Sequence, residues 1–363
     1  VKVALVHDWL NQLGGAEQVL EALVGLYPQA PIYTAIYARA AMPPEYRRWD
    51  IRTAWLDRLP LVHRRHQLYL PAYPLAFESF DLSGYDLVLS NKSGFCHGVL
   101  TGPETCHVCY CLTPTRYVWN FPAYARREGL GRLAGPLLAP LLAWLRLWDR
   151  QAADRVDHFL AISRAVQARI RKYYRRESTI LYPPVETARF AREALGPPGN
   201  YYLIVSRLVP YKAIDLAVRT FSRLGLPLWI GGEGRDRPAL EALAGPNVRF
   251  LGRVPSEQLP GLMAGCRAFV FPGEEDFGIA PLEAMAAGRP AIAYAAGGAL
   301  DTVVDGHTGV FFDQPTEDSL AAAVERLGGL ALDPAAIRAH ALRFDRAVFE
   351  ERLREFIAGV AGR

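Results

Sequence analysis

Several things are missing from this sequence, and each absence narrows its reading. No stretch reaches the ~20 consecutive apolar residues that a membrane span needs. The nearest, Leu130 to Trp148, is broken by Arg132, Arg146, two prolines and two glycines. No secretory leader is expected, because the apolar run Val1 to Val6 is short and passes directly into His7-Asp8. Cysteine is scarce and odd in number, five in all, which points to reduced thiols and a cytoplasmic location. Cys106-His-Val-Cys109-Tyr-Cys111, near His97, invites a metal reading. No second Cys/His pair follows at finger-like spacing, and Val108, Tyr110 and Leu112 alternate with the thiols as in a buried strand. The G-x-G-x-x-G fingerprint of dinucleotide binding is absent. So is an Asp-x-Asp pair at a strand end, and no metal requirement is expected.

What is present suits a two-domain globular protein. The chain has 363 residues, 51% hydrophobic and 21% charged. Its net charge of +4 is unevenly spread. Residues 1–175 carry 21 Lys and Arg against 14 Asp and Glu, a net +7, whereas the rest nets −3. A basic first half suits an anionic surface such as a membrane or a lipid diphosphate. Its arginines are scattered and form no nucleic-acid motif, so no nucleic-acid partner is expected.

The pattern along the chain alternates strand and helix. Val1 to Val6 reads as a buried parallel strand, followed by His7-Asp8-Trp9, the turn Gly14-Gly15-Ala16-Glu17 and a helix through Val19, Leu20, Leu23 and Leu26. Ile32 to Ala35, Tyr85 to Ser90, Val108 to Leu112 and His158 to Ala161 continue the series. Residues 124–150 mix apolar side chains with Arg126, Arg127, Arg132, Arg146 and Arg150, the pattern of an amphipathic face on an anionic membrane. The run after Pro183 is loosely patterned up to Pro197-Pro198-Gly199 and reads as a linker, with a domain boundary near residue 180. Alternation restarts at Tyr202 to Ser206, then Leu228 to Gly231, Val248 to Gly252, Ala268 to Phe271 and Ala291 to Tyr294.

The most informative stretch is Phe271 to Pro290. An apolar strand breaks at Pro272-Gly273, sets down Glu274 and Glu275, turns at Gly278 and enters a helix at about Pro281. This puts Glu275 in the loop and Glu283 in the first helical turn, both near a helix N-terminus whose free amides favour anions. Arg207 and Lys212 follow the Tyr202 to Ser206 strand, a place where cations are otherwise common surface residues.

Glu275 to Glu283 resembles the E-x7-E motif of the retaining glycosyltransferases of family four, which have the GT-B fold. Gly14-Gly15-Ala16-Glu17 resembles that family's first loop, and Ser206 to Lys212 its pyrophosphate clamp. Thr113-Pro114-Thr115-Arg116-Tyr117-Val118-Trp119-Asn120 is similar to a C-H-T-P-x-R-Y-x-W-D motif of a mannosyltransferase-like subgroup acting on bacterial surface polysaccharides. Here Leu112 replaces the histidine and Asn120 the aspartate.

The resemblance implies an α/β protein with two Rossmann-like domains facing across a deep cleft. The expected domains are 1–180 on the acceptor side, 181–345 for the nucleotide sugar, and a helix at 346–363 returning to the first. It implies a retaining, metal-independent hexosyltransferase whose donor is a nucleoside-diphosphate sugar and whose acceptor is a glycan or lipid-linked molecule. No cofactor is expected. Glu283 would bind ribose, Glu275 the transferred sugar, and Arg207 and Lys212 the diphosphate. Amides of Phe277, Gly278 and Ile279 would contact sugar and phosphate, Gly15 would approach the diphosphate, and Gly252, Arg253 and Val254 would lie against the base. Asp8, Leu112 and Arg116 are expected on the acceptor side or in the sugar pocket. Leucine at 112 can pack a methyl group but cannot hydrogen-bond a C6 hydroxyl, which suggests a 6-deoxyhexose donor. A non-catalytic nucleotide-sugar-binding partner and an epimerase of the same fold are the alternatives.

Overall fold

The computed structural model describes residues 1–122, 125 and 134–360. The chain divides into two units, residues 1–183 with the end of the chain from Glu350, and Pro184–Phe349.

The first unit holds seven strands: β1 (Val3–His7), β2 (Ile32–Thr34), β3 (Ile51–Thr53), β4 (Leu87–Lys92), β5 (Cys106–Cys111), β6 (His158–Ala161) and β7 (Thr179–Ile180). All pair in parallel, in the order β3-β2-β1-β4-β5-β6-β7. Continuous apolar runs such as Val3–Val6 are what a strand covered on both faces requires. One face packs Ala4, Val6, Tyr33, Tyr73, Phe77, Phe95 and Trp148 into a single core.

The second unit holds β8 (Tyr202–Val205), β9 (Leu228–Gly231), β10 (Val248–Gly252), β11 (Ala268–Phe271), β12 (Ala291–Tyr294) and β13 (Gly309–Phe312). Their order, β10-β9-β8-β11-β12-β13, is again wholly parallel. Both sheets reverse strand order beside their first strand, between β1 and β4 and between β8 and β11. In doubly wound sheets ligands bind outside the carboxyl ends of the strands at that point.

One expectation needs correction. Residues 186–199 do not link domains loosely: Phe190 is buried, and the Arg289 and Arg338 guanidinium groups donate to the carbonyls of Gly196 (2.8 Å) and Glu193 (2.7 Å) within the second unit. Strands β3, β7 and β13 were not anticipated, because Ile51-Arg52-Thr53 is short and polar, Thr179–Ile180 has only two residues and β13 begins on glycine. Of the arginines in 124–150, Arg126, Arg127 and Arg132 lie outside the described residues. The helix Ala134–Asp154 carries Arg146, which donates to the Leu142 carbonyl, and Arg150, paired with Asp154.

Asp8 also departs from expectation. It is buried, and its carboxylate accepts from the amides of Ser93, Gly94, Phe95 and Cys96 at 2.6–2.8 Å and from the Ser93 hydroxyl. It fastens the loop after β4 to the end of β1. Asp8→Ala would leave four amides without their acceptor, and unfolding in urea should show a loss of at least about 3 kcal/mol. A loss well below that would mean the loop holds itself.

Candidate active site

The loops at the carboxyl ends of β8, β9, β11 and β12 interlock by backbone contact. A Cβ on Gly232 would stand 1.9 Å from the Ser206 carbonyl oxygen, and one on Gly234 2.0 Å from that of Leu208. Gly297 and Gly298 leave similar room for the backbone of Glu275 and Phe277, at 2.1 and 2.2 Å. The Gly298 amide donates to the Glu275 carbonyl at 2.8 Å. A Cβ on Gly273 would stand 2.9 Å from the Lys212 backbone, so the segment 206–212 lies against 273–278 at the switch point.

Lys212 and Glu275 form an ion pair there, with side chains only 14% and 21% exposed. Tyr211 holds the two cations: the Arg207 guanidinium lies 3.3 Å from its hydroxyl, and the Lys212 ammonium sits 5.2 Å over its ring. Sequence reasoning passed over Tyr211, although its place between two expected phosphate ligands was the available signal.

Gly278, at φ +95°, is the N-cap of the helix Ile279–Ala286. The helix thus starts two residues before Pro281, which a first turn tolerates because its missing N–H would be unpaired there. Glu283 falls in the second turn as a result, not the first. It is half-buried, and desolvation raises its carboxyl to about 7 against the opposing charge of Arg189. The amides of Phe277, Gly278 and Ile279 stand at this helix start. Gly252, at φ +70°, accepts through its carbonyl from the Gly232 amide at 2.7 Å. Val254 packs where a Gly231 side chain would be, and Arg253 is exposed.

The carboxyl edge of the first sheet is organised by buried polar groups. Glu17 of the Gly-Gly-Ala-Glu turn pairs with His7 at 3.3 Å, and Asn91 donates to the Ala16 carbonyl at 2.7 Å, which sets Gly15 at the start of the helix Gly15–Leu26. Leu112 is half-buried, its amide donating to the Lys92 carbonyl at 2.8 Å as the chain leaves β5. Arg116 opens the one-turn helix Arg116–Trp119.

Buried Asp149 holds this last motif. It accepts from Thr115 Oγ1 (2.8 Å), Trp119 Nε1 (2.6 Å) and Tyr174 Oη (2.8 Å). Lys92, also buried, donates to the Thr113 carbonyl and to Thr115 Oγ1, each at 3.2 Å. Burial is the largest single influence and would lower the Lys92 pKa, but Asp149, Cys111, Asp8 and Cys109 together outweigh it and the net shift is upward. Neither residue was singled out from sequence. Asp149 shares a helical phase with buried Leu142, Leu145 and Ala152, and a carboxylate at such a position was the detectable signal.

Two parallel sheets in this order, each with its loops gathered at the switch point, define a GT-B-type protein. The solved structures agree on the fold. Anabaena Alr3699/HepE in complex with UDP superposes with a TM-score of 0.71 at 17% identity, covering 99% of this chain and 100% of that one. Sucrose-phosphate synthase from Thermosynechococcus elongatus gives 0.69 at 19% identity, covering 98% and 99%. Two family models, Glycosyltransferase Family 4 over residues 13–189 and Glycosyl transferases group 1 over 186–331, adjoin across the sequence. The chain belongs to the family-four glycosyltransferases. Curated relatives include two proteins of Mycolicibacterium smegmatis. One is a GDP-mannose-dependent alpha-(1-6)-phosphatidylinositol monomannoside mannosyltransferase, 30% identical over 58% of this chain and 63% of its own length. The other is a GDP-mannose-dependent alpha-mannosyltransferase, 31% identical over 56% and 55%. The chain thus spans somewhat more than half the length of these relatives.

The raised Glu283 carboxyl carries a pH signature. Its folded pKa lies above the unfolded value, so its contribution to stability is fully present below about pH 4.5 and is lost as pH rises through about 7. Glu283→Gln removes that loss. The thermal midpoint of the variant relative to wild type should rise progressively across this window, and a flat difference would contradict the desolvation.

Proposed function

We propose that the chain transfers a hexose or 6-deoxyhexose from a nucleoside-diphosphate sugar to a glycan or lipid-linked acceptor, with retention of anomeric configuration. The observation that carries the reading is the Lys212–Glu275 pair at the β8/β11 switch point, with Glu283 on the helix that follows. In the reaction the bond from the anomeric carbon to the diphosphate oxygen breaks. The acceptor oxygen bonds that carbon from the same face, and its proton passes to the departing diphosphate oxygen. Negative charge grows on the diphosphate, where Lys212, Arg207 and the amides opening the helix Ile279–Ala286 favour it without a metal. Glu275 would hold hydroxyls of the transferred sugar and Glu283 those of the ribose.

Gly15 would approach the diphosphate, Gly252, Arg253 and Val254 would meet the base, and Leu112 and Arg116 would border the sugar. A GDP-linked donor is favoured by the two mannosyltransferase relatives, and a 6-deoxy sugar by Leu112. A lipid-linked acceptor would bring the basic first half to an anionic inner membrane face, as a peripheral protein. Among the described residues no helix is long and apolar enough to cross a membrane.

The test of the class is a thermal-shift series with GDP, UDP, dTDP and their sugar conjugates, read beside transfer. A ligand at a hundred times its Kd adds about 2.7 kcal/mol to the native state. Glu275→Gln should keep that stabilisation by nucleotide and lose at least about 100-fold in transfer. Equal loss of binding would make Glu275 a structural residue, and free altered sugar without acceptor would favour an epimerase.

Leu112 offers a separate test. Packing a methyl there is worth about 1 kcal/mol, and stranding a hydroxyl would cost about 1–3 kcal/mol. A 6-deoxyhexose donor should therefore be preferred about tenfold or more over its hexose counterpart. Leu112→His should narrow the ratio, whereas comparable turnover of both donors by the wild type would remove the inference.

A further inference from the structure

The segment Trp55–Leu75 of the first unit has two faces, and only one is accounted for by the fold. Inward, Leu56, Val62, Tyr73 and Phe77 are buried, with Phe77 continuing the same wall, and Leu59, Tyr69 and Leu70 pack against the same core. Trp9 packs tilted against His66 and edge-on against Tyr73, at ring separations of 5.0 and 5.6 Å. Burial in this cluster lowers His66 to about 4, so its ring stays neutral. The segment is therefore seated firmly, and its outer side chains are not a misplaced core.

Outward, Leu61, Leu68 and Leu75 are 61%, 69% and 59% exposed, and Trp55 is 43% exposed. Leu61 is unusual twice over. It holds φ 58°, a left-handed conformation that disfavours a side chain, and its carbonyl accepts from the amides of Arg64 and Arg65 to close the turn. An exposed leucine at such a position gains nothing from the folded chain itself.

The charge beside these leucines has one sign. Arg58, Arg64 and Arg65 are exposed, and no Asp or Glu occurs from Arg58 to Phe77. The flanking carboxylates are engaged: Asp57 with His63 and the Tyr37 amide, and Glu78 with Trp148 and Arg155. Apolar side chains among uncompensated arginines on a fixed backbone match a bilayer interface that carries anionic headgroups. A nucleic acid or an acidic protein would answer the arginines and leave the leucines without a partner.

We propose that Trp55–Leu75 is the membrane-docking surface of this protein, with Leu61 and Leu68 entering the interface and Arg58, Arg64 and Arg65 meeting anionic headgroups. The proposal deepens the membrane contact suggested above and moves it away from residues 124–150. It needs neither donor nor transfer, so it fails or stands apart from the transferase reading.

The experiment is vesicle co-sedimentation of the full chain. Binding is expected to phosphatidylcholine vesicles containing phosphatidylglycerol, to be absent with phosphatidylcholine alone, and to weaken with salt. Arg58→Glu/Arg64→Glu/Arg65→Glu should reduce it by at least about fivefold per arginine, the change that corresponds to ~1 kcal/mol for each charge at the surface. Leu61→Ser/Leu68→Ser should reduce it by a further independent route, with charge unchanged. Both variants alter exposed groups, and their thermal midpoints should stay at the wild-type value. Leu243→Ser/Leu300→Ser, exposed in the second unit, should have no effect. No binding to anionic vesicles would overturn the proposal. So would binding indifferent to the leucines, which would mean that any polyanion serves, or binding lost on Leu137→Ser/Trp144→Ser but not on the variants of this segment.

Discussion

The second unit depends on places where one backbone lies so close to another that no side chain fits. Gly232, Gly234, Gly297 and Gly298 each stand about 2 Å, measured to a would-be Cβ, from the backbone of Ser206, Leu208, Glu275 or Phe277. A loop held only by its own turns would leave the carboxyl edge of the sheet mobile. These contacts tie the β9 loop to the β8 loop and the β12 loop to the β11 loop, where the Gly298 amide also bonds the Glu275 carbonyl, and Gly273 against the Lys212 backbone joins the two pairs. The position of Glu275 is therefore set by the β12 loop as much as by β11. That is why Lys212 and Glu275, 63 residues apart in sequence, meet without a long-range hydrophobic contact of their own.

The first unit solves the same problem with buried charge. Asp8 gathers the amides of the loop after β4, and Asp149 gathers the polar atoms of the loop after β5. Thr115 Oγ1 connects the two, lying 2.7 Å from the Gly94 carbonyl and 2.8 Å from Asp149. One hydroxyl has one proton, so it donates to one of these at a time while accepting from Lys92. Buried ions are costly unless every lone pair is met. Here the amides, hydroxyls and an indole meet them, so the network specifies loop geometry more than it adds net stability.

The sheets were legible because parallel strands buried on both faces write continuous apolar runs, as in Val3–Val6 and Ala268–Phe271. The candidate site residues Arg207, Lys212, Glu275 and Glu283 stood out because they fall in spaced motifs that resemble a known family, since cations and carboxylates after a strand are otherwise common surface residues. Tertiary partners were not legible. Asp8 looked like a pocket residue because nothing local shows that residues 93–96 would turn four amides towards it. Glu283 slipped by half a turn because Gly278 starts the helix earlier than Pro281 suggests. The segment 55–75 was passed over because neither a period of 2 nor one of 3.6 runs through it. Its inward and outward sides are separated by short 3-10 turns, which sequence periodicity does not report.

The pairing of Lys212 with Glu275 has an energetic consequence under the proposed reading. Each charge is the other's partner in a place where both are largely removed from water, and breaking the pair from one side strands the other. A nucleotide without its sugar would draw Lys212 to phosphate and leave Glu275 uncompensated. A sugar alone would do the reverse. A nucleoside-diphosphate sugar supplies phosphate oxygens for the ammonium and hydroxyl donors for the carboxylate together, so the two halves of the donor bind with positive coupling. The same logic acts after transfer. Once the sugar has left, the diphosphate keeps Lys212 only by leaving Glu275 without a partner, and re-forming the ion pair favours its release. Under that reading the Lys212–Glu275 pair would also discriminate donor from product.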